Sequence, residues 1–186
     1  MAFDPSDLSA ATLQTMLAHS ATCFVDEDAD GNVDETTAGV LVNAPPDDVA
    51  KVVTDYAAYS QWAPQLTKSK IVSQKSGATD VEFALGFRFA VFSKSIDYTV
   101  RYREKGSTVA WENVSGEFPE NRGTWSWSPL ERGKKTAVFY SFYVDLAGLG
   151  PMVKMALKAS PQMEVAISTS TAVLMARALK ARVEKS

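Results

Sequence analysis

Residues 42–72 read VNAPPDDVAKVVTDYAAYSQWAPQLTKSKIV, and this stretch decides the fold. It begins as a short strand, which Pro45 and Pro46 bring to an end. Asp47 and Asp48 then place negative charge where a helix begins, and valines recur after them at helical spacing. A kinked, aromatic connection and a second strand follow. The order strand, proline turn, helix, broken helix and strand indicates a sheet that wraps around a pocket.

Alternating residues after position 80 predict an antiparallel meander with one apolar, aromatic face. From Val81 to Phe89 every odd position is apolar, whereas Asp80, Glu82 and Arg88 lie on the even side. The next strand alternates with the opposite parity, and three further apolar runs follow, separated by glycine-bearing turns. Such a face must be covered by another element.

A C-terminal helix is the only predicted element long enough to cover this face. Pro161 stands where the helix would begin, with Ser160 as its cap, and neither Gly nor Pro interrupts the chain from there to Val183. Residues 151–159 predict a shorter helical segment before it. A stripe of apolar and small residues, which we expect to lie across the sheet, recurs at a spacing of three and four: Met163, Ile167, Ser170, Leu174 and Ala178.

The pattern VxAPxxxVxxVVxDYxxYxxWxPxxxxSxIV within residues 42–72, followed by this meander and helix, resembles the polyketide cyclase/dehydrase and lipid transport family. These are START-like (SRPBCC) helix-grip domains and include coenzyme-Q-binding members. The resemblance covers about residues 36–183 and rests on apolar and turn positions. It implies an α+β helix-grip fold: a curved antiparallel sheet of six to seven strands wrapped around the long C-terminal helix, with a hydrophobic cavity between them.

The resemblance implies that this cavity binds a hydrophobic small molecule, such as a lipid, an isoprenoid quinone or a polyketide. The protein would be its carrier, chaperone or sensor. One alternative is a polyketide cyclase, aromatase or dehydrase that acts in the same cavity, and another is a protein-interaction module with a filled core. We favour binding over catalysis, because the only histidine, His19, lies outside the expected pocket and no nucleophile motif or dinucleotide fingerprint is present. No cofactor is expected.

Strand parity, the helical stripe and the resemblance together predict the residues that contact the ligand. Tyr98, Tyr102, Tyr140 and Trp111 each offer one O–H or N–H group to such a molecule. The predicted ligand-binding residues are Phe83, Leu85, Phe87, Tyr98, Val100, Trp111, Trp125, Trp127, Tyr140, Phe142, Met163 and Ile167.

Catalytic residues cannot be assigned from the pattern. If the chain were a cyclase, Arg88, Asp97, Glu112 and Arg122 would be the candidates for moving protons. Most of them fall on the polar side of their strands, and we therefore expect them to face solvent.

Residues 26–37 form an acidic loop whose start matches an EF-hand calcium loop. Asp26, Asp28 and Asp30 would supply oxygen ligands at its first, third and fifth positions, and a glycine follows at the sixth. However, Thr37 occupies the twelfth position, where a bidentate glutamate is needed, and both flanks predict strands. We therefore favour a hairpin turn with no metal, and keep weak calcium binding by these three aspartates as the alternative.

Charge is distributed unevenly along the chain. Residues 1–48, 49–150 and 151–186 carry net charges of −10, +3 and +4. Nucleic acid would require a concentrated basic face, so it is not an expected partner. Solvated faces are the ordinary interpretation, whereas contact with an acidic membrane or protein surface would involve Arg177, Lys180, Arg182 and Lys185.

The chain of 186 residues fits a single domain. We expect residues 1–22 to form an N-terminal helical extension, with a helix over 6–20, and residues 23–186 to form one helix-grip domain. No apolar run reaches the roughly 18 residues of a transmembrane helix, and the N-terminus lacks the basic and apolar regions of a signal peptide, so we expect a cytoplasmic protein. The oligomeric state is left open.

Overall fold

A computed structural model describes residues 3–89, 92–160 and 162–185, with the backbone alone for residues 87–89 and 92–94. Over these residues the chain forms eight strands and five α-helices. The strands are β1 (Thr22–Glu27), β2 (Val33–Val42), β3 (Leu66–Lys75), β4 (Ala78–Phe89), β5 (Phe92–Lys105), β6 (Thr108–Gly116), β7 (Asn121–Leu130) and β8 (Lys135–Val144). The helices are α1 (Ala10–Leu17), α2 (Pro46–Thr54), α3 (Tyr59–Trp62), α4 (Pro151–Ala159) and α5 (Gln162–Val183). None of these helices is long and apolar enough to cross a membrane.

All eight strands belong to one antiparallel sheet with the order β1-β2-β8-β7-β6-β5-β4-β3. Strands β3 to β8 form the predicted meander, and the β1–β2 hairpin extends it beside β8. The sheet thus has more strands than the six to seven expected, because this hairpin and β3 both pair fully with their neighbours. The α+β helix-grip architecture itself is confirmed.

The predicted strand parity is confirmed by the register of the sheet. Phe83 pairs with Tyr98 across β4 and β5, and Trp125 pairs with Tyr140 across β7 and β8. Side chains that share a cross-strand pair lie on the same face. The aromatic residues assigned to one face therefore pack in a single inner cluster: Phe83, Tyr98, Trp111, Trp127 and Tyr140.

Helix α5 covers the inner face, but with a different stripe from the one predicted. It packs mainly on β2, and its buried residues are offset by about one position from the expected ones. Leu174, expected at the contact, is 48 % exposed. Small and apolar residues occur on more than one side of this helix, so their spacing alone does not determine which side packs on the sheet. The buried positions are Ser168, Ala172, Met175, Ala176, Leu179 and Val183. Pro161 lies outside the described residues.

Helix α1 packs on the outer face of the sheet. It begins at Ala10 instead of near position 6, because the Ser9 side chain accepts a hydrogen bond from the Thr12 backbone N–H at 3.1 Å and caps the helix there. Leu13 and Leu17 are buried in a second cluster with residues of β7 and β8. The division into an extension and a domain at position 22 stays a prediction.

Candidate functional site

A cavity of about 410 Å³ lies between α5 and the inner face of strands β4 to β8. This volume falls within the range of small-molecule sites, roughly 300–1,000 Å³. Ten of the twelve side chains predicted to contact a ligand line it: Phe83, Leu85, Tyr98, Val100, Trp111, Trp125, Tyr140, Phe142, Met163 and Ile167.

The other two predicted residues have different placements. Trp127 is buried in the inner cluster but does not line the cavity. Trp127 pairs with Val138, two positions along the strands from Trp125 and Tyr140, the pair that lines the cavity. Helix α2 covers this part of the sheet. The Phe87 side chain lies outside the described residues.

Several lining residues were missed because they come from connections or were interpreted as packing residues. Tyr59 belongs to the broken helix that decided the fold, and Gln65 to the connection after it. Phe118 lies in the turn between β6 and β7, and Asn121 opens β7. A strand-parity argument cannot assign a turn residue to either face. Of these four residues, only Tyr59 could have been predicted from the sequence, because aromatic residues recur around it at regular spacing.

Trp111 is held at the centre of the cavity wall by a glycine on the next strand. It pairs with Gly123 across β6 and β7, and a Cβ atom at Gly123 would lie 2.3 Å from the indole ring. The indole therefore lies flat across β7 and stacks on Tyr140, with ring centroids 5.4 Å apart and an interplanar angle of 19°. A side chain at position 123 would prevent this contact.

A buried hydrogen bond sets the orientation of Asn121. Trp111 Nε1 donates to Asn121 Oδ1 at 3.0 Å. An indole N–H can only donate, so the amide must present its oxygen to Trp111. The Asn121 Nδ2 group, with its two donor hydrogens, is then directed away from the indole. Asn121 is thus a polar side chain in a cavity wall that is mostly apolar.

Two of the buried tyrosines have protein partners for their hydroxyl groups. Tyr56 Oη donates to Glu104 Oε1 at 2.8 Å, and Tyr59 Oη donates to the Val53 carbonyl oxygen at 2.6 Å. These bonds fix the broken helix against β5 and α2. Burial raises the pKa of Tyr56 and of Tyr59, so both keep their protons at neutral pH.

Three other tyrosines, Tyr98, Tyr102 and Tyr140, line the cavity with hydroxyl groups that make no hydrogen bond to any other residue described in the structure. Burial raises the pKa of each of them, and neighbouring tyrosines raise those of Tyr102 and Tyr140 further. All three hydroxyls are therefore protonated hydrogen-bond donors near neutral pH.

The cavity is uncharged and opens on one side. Among the described lining side chains there is no Lys, Arg, His, Asp or Glu. Exposed lining residues mark the mouth: Gln65 on one side, and Ala166, Ser170 and Leu174 of α5 on the other. The fully buried Trp125 and Val100 belong to the floor. The arrangement allows an apolar molecule to enter beside α5.

The candidate proton-transfer residues are not among those that line the cavity. Asp97 is exposed, and Glu112 pairs with Arg103 at 2.6 Å. Arg122 pairs with Asp34 at 2.8 Å, and its guanidinium lies over the ring of Tyr143. The Arg88 side chain lies outside the described residues. These ion pairs belong to the polar outer face of the sheet, as strand parity predicts.

The acidic loop joins β1 and β2 as a hairpin connection. Asp28 Oδ1 accepts hydrogen bonds from the backbone N–H groups of Asn32 at 2.9 Å and Asp30 at 2.8 Å, and Gly31 has a φ of +81°. The Asn32 backbone bond is the main reason why the pKa of Asp28 is lowered. Within the described part of the chain, no group of three His, Cys, Asp or Glu residues is arranged to hold a metal ion.

Among the basic residues of α5, Lys180 is engaged within the fold. Its Nζ atom donates to the Leu41 carbonyl oxygen and pairs with Glu184 at 3.1 Å. Glu184 in turn accepts a hydrogen bond from the Asn43 backbone N–H at 2.8 Å. These contacts tie the end of α5 to β2. Contact of this region with a membrane stays a prediction.

A curved antiparallel sheet with a long helix across it and a cavity between them defines the helix-grip class. The sequence matches the family described as polyketide cyclase / dehydrase and lipid transport over residues 33–185, and the chain belongs to this family. A comparison with curated proteins found no match.

Solved structures from several bacteria share the fold. A protein from Thermus thermophilus is 17% identical, with a TM-score of 0.65, over 80% of this chain and 96% of its own. A STAR-related lipid transfer protein from Xanthomonas axonopodis is 20% identical, with a TM-score of 0.65, over 89% and 94%. An aromatase/cyclase from a Streptomyces species is 18% identical, with a TM-score of 0.61, over 81% and 93%. At these identities the likeness is one of fold.

Proposed function

We propose that this protein binds a hydrophobic small molecule in the cavity between α5 and the sheet, as its carrier, chaperone or sensor. The observation that carries the proposal is a space of about 410 Å³ walled by aromatic side chains. Protein interiors are normally close-packed, and an apolar cavity destabilises a fold in proportion to its volume. An aromatic core with no ligand to accommodate would be expected to close this space.

Burial of apolar surface supplies most of the binding free energy in this proposal. Each Å² of apolar surface removed from water contributes roughly 25 cal/mol, and the loss of translational and rotational freedom offsets a large part of the total. A ring system or short polyene that fills the cavity should therefore bind with a dissociation constant in the micromolar range. This corresponds to a binding free energy on the order of −8 kcal/mol.

Native mass spectrometry of the protein purified from its own host tests the proposal. We expect a bound mass that is lost on denaturation. A panel of quinones, flavonoids, polyketides and fatty acids should then change the tryptophan fluorescence, because Trp111 and Trp125 line the cavity. Leu85→Trp, which fills the space, should weaken the response. No bound mass, together with no response to any member of the panel, would contradict the proposal.

The second candidate is a cyclase, aromatase or dehydrase, and the observation that favours it is the group of hydroxyls in the cavity. Protonated tyrosines can act as acids. However, the described lining offers no carboxylate or imidazole as a base. The relatives named for lipid transfer and for aromatase/cyclase activity support both candidates equally, because they share only the fold. Conversion of a bound polyketide into a new product would favour catalysis, and its recovery unchanged favours binding.

A further inference from the structure

We propose that the hydroxyls of Tyr98, Tyr102 and Tyr140 form a donor cluster that selects a neutral ligand carrying carbonyl or other acceptor oxygens on a ring system. This inference rests on the proposed function, because it concerns the same cavity. The acceptor oxygens and the lack of charge would distinguish this ligand from a hydrocarbon, a fatty acid or a phospholipid.

The sheet brings the three tyrosines to one cavity from two strands. Tyr98 and Tyr102 lie four residues apart on β5 and therefore share a face, whereas Tyr140 comes from β8. Trp111 bridges them, with ring centroids 6.0 Å from Tyr102 and 5.4 Å from Tyr140. The indole is neutral and apolar over most of its surface. The wall therefore contains a cluster of aromatic rings, three of which carry hydroxyl groups.

These three hydroxyls have no acceptor among the described protein groups, although Tyr102 and Tyr140 are buried and Tyr98 is partly buried. Only 5 % of Tyr102 and 8 % of Tyr140 is exposed. A buried O–H group usually finds an acceptor, as those of Tyr56 and Tyr59 do in the same core. The oxygens of the three lining hydroxyls are not among the fully buried side-chain atoms that lack a partner, so they are open to the cavity. Since no described protein group accepts from them, they take their acceptors from the contents of the cavity. A ligand that carries acceptor oxygens can supply them.

The absence of charge from the described lining and the presence of its hydroxyl donors each disfavour one other class of ligand. A carboxylate or phosphate would be buried without a cation, because no described lining side chain is positively charged. A pure hydrocarbon would displace water from the hydroxyls and leave three donors unpaired. A carbonyl oxygen avoids both costs, because it is uncharged and accepts hydrogen bonds.

Three rigid molecules of the same ring size separate these classes: fluorene without an acceptor, fluorenone with a carbonyl, and fluorenone-4-carboxylate with an added negative charge. Affinities are measured by equilibrium dialysis at pH 7. We expect fluorenone to bind about tenfold more tightly than the other two. Equal binding of fluorene and fluorenone would overturn the donor cluster but leave the proposed function intact. Tight binding of the carboxylate would also overturn it, and failure of all three would reject the cavity as a site for such rings.

Tyrosine-to-phenylalanine variants identify the donors, because they keep the ring and remove only the hydroxyl. At least two of Tyr98→Phe, Tyr102→Phe and Tyr140→Phe should weaken fluorenone binding roughly three- to tenfold and leave fluorene binding unchanged. Tyr143→Phe is the matched control, since that ring lies on the outer face against Arg122. Parallel losses for fluorene and fluorenone would indicate a structural effect and contradict the inference.

Discussion

Gly123 shows how a single residue shapes the cavity wall. It has no side chain, and the Trp111 indole occupies the space that a Cβ atom would need, 2.3 Å from both that ring and the Ser141 carbonyl oxygen. The indole can then reach Asn121 and stack on Tyr140. The hydrogen atom that glycine carries in place of a methyl group therefore determines the position of one of the two tryptophans that line the cavity.

The Gly123→Ala variant should lower the free energy of unfolding by about 1–3 kcal/mol, because the added methyl group displaces the indole or the backbone of β8. Urea denaturation followed by circular dichroism measures this change. Gly86→Ala is the matched control, since a Cβ atom there meets nothing closer than 3.6 Å. Equal stability of the two variants would show that Trp111 is not held in this way.

Helix α5 has two faces with different tasks. One face, made largely of small residues, packs against the sheet, and the adjacent face lines the cavity with Met163, Ile167 and Leu174. Spacing in the sequence predicted the long helix, and the two residues of α5 expected to contact the ligand, Met163 and Ile167, line the cavity. The spacing did not identify the packing face, because Ala172 and Ala176 carry too little apolar surface to stand out in a pattern.

Two leucines on this helix test the division. Leu179 is fully buried, so Leu179→Ala should cost about 2–5 kcal/mol of stability. Leu174 is half-exposed at the mouth, so Leu174→Ala should change stability by less than about 1 kcal/mol and weaken ligand binding instead. Thermal unfolding and dialysis of fluorenone measure the two effects. A large loss of stability in Leu174→Ala would contradict the assignment of the faces.

The β1–β2 hairpin offers a test of the calcium alternative. Asp28 already accepts backbone hydrogen bonds within its own turn. We therefore expect 1 mM calcium, on the order of one hundred times a 10 μM dissociation constant, to leave the melting temperature unchanged, whereas a site of that affinity would add about 2.7 kcal/mol. A clear increase that disappears in Asp28→Ala would support calcium binding.

At the scale of the whole molecule, the sheet and its aromatic face could be predicted because alternation along a strand is a local property. Eight of the ten predicted residues that line the cavity lie on strands and were found for that reason, whereas Met163 and Ile167 were found from the helical spacing of α5. Asn121 and Phe118 could not be predicted, because their positions depend on how the β6–β7 turn folds back over the sheet. Trp127 has the correct parity but lies at the wrong height along β7, which only the packing of α2 reveals.

A crystal structure of the protein grown with fluorenone tests the central claim most directly. We predict electron density for the ligand between α5 and the sheet, stacked beside Trp111 and within hydrogen-bonding distance of at least one of the Tyr98, Tyr102 and Tyr140 hydroxyls. The claim would be contradicted by a structure in which α5 has moved onto β4 and β5, the ligand is absent, and the remaining space is below about 100 Å³, too small for a ligand of this kind.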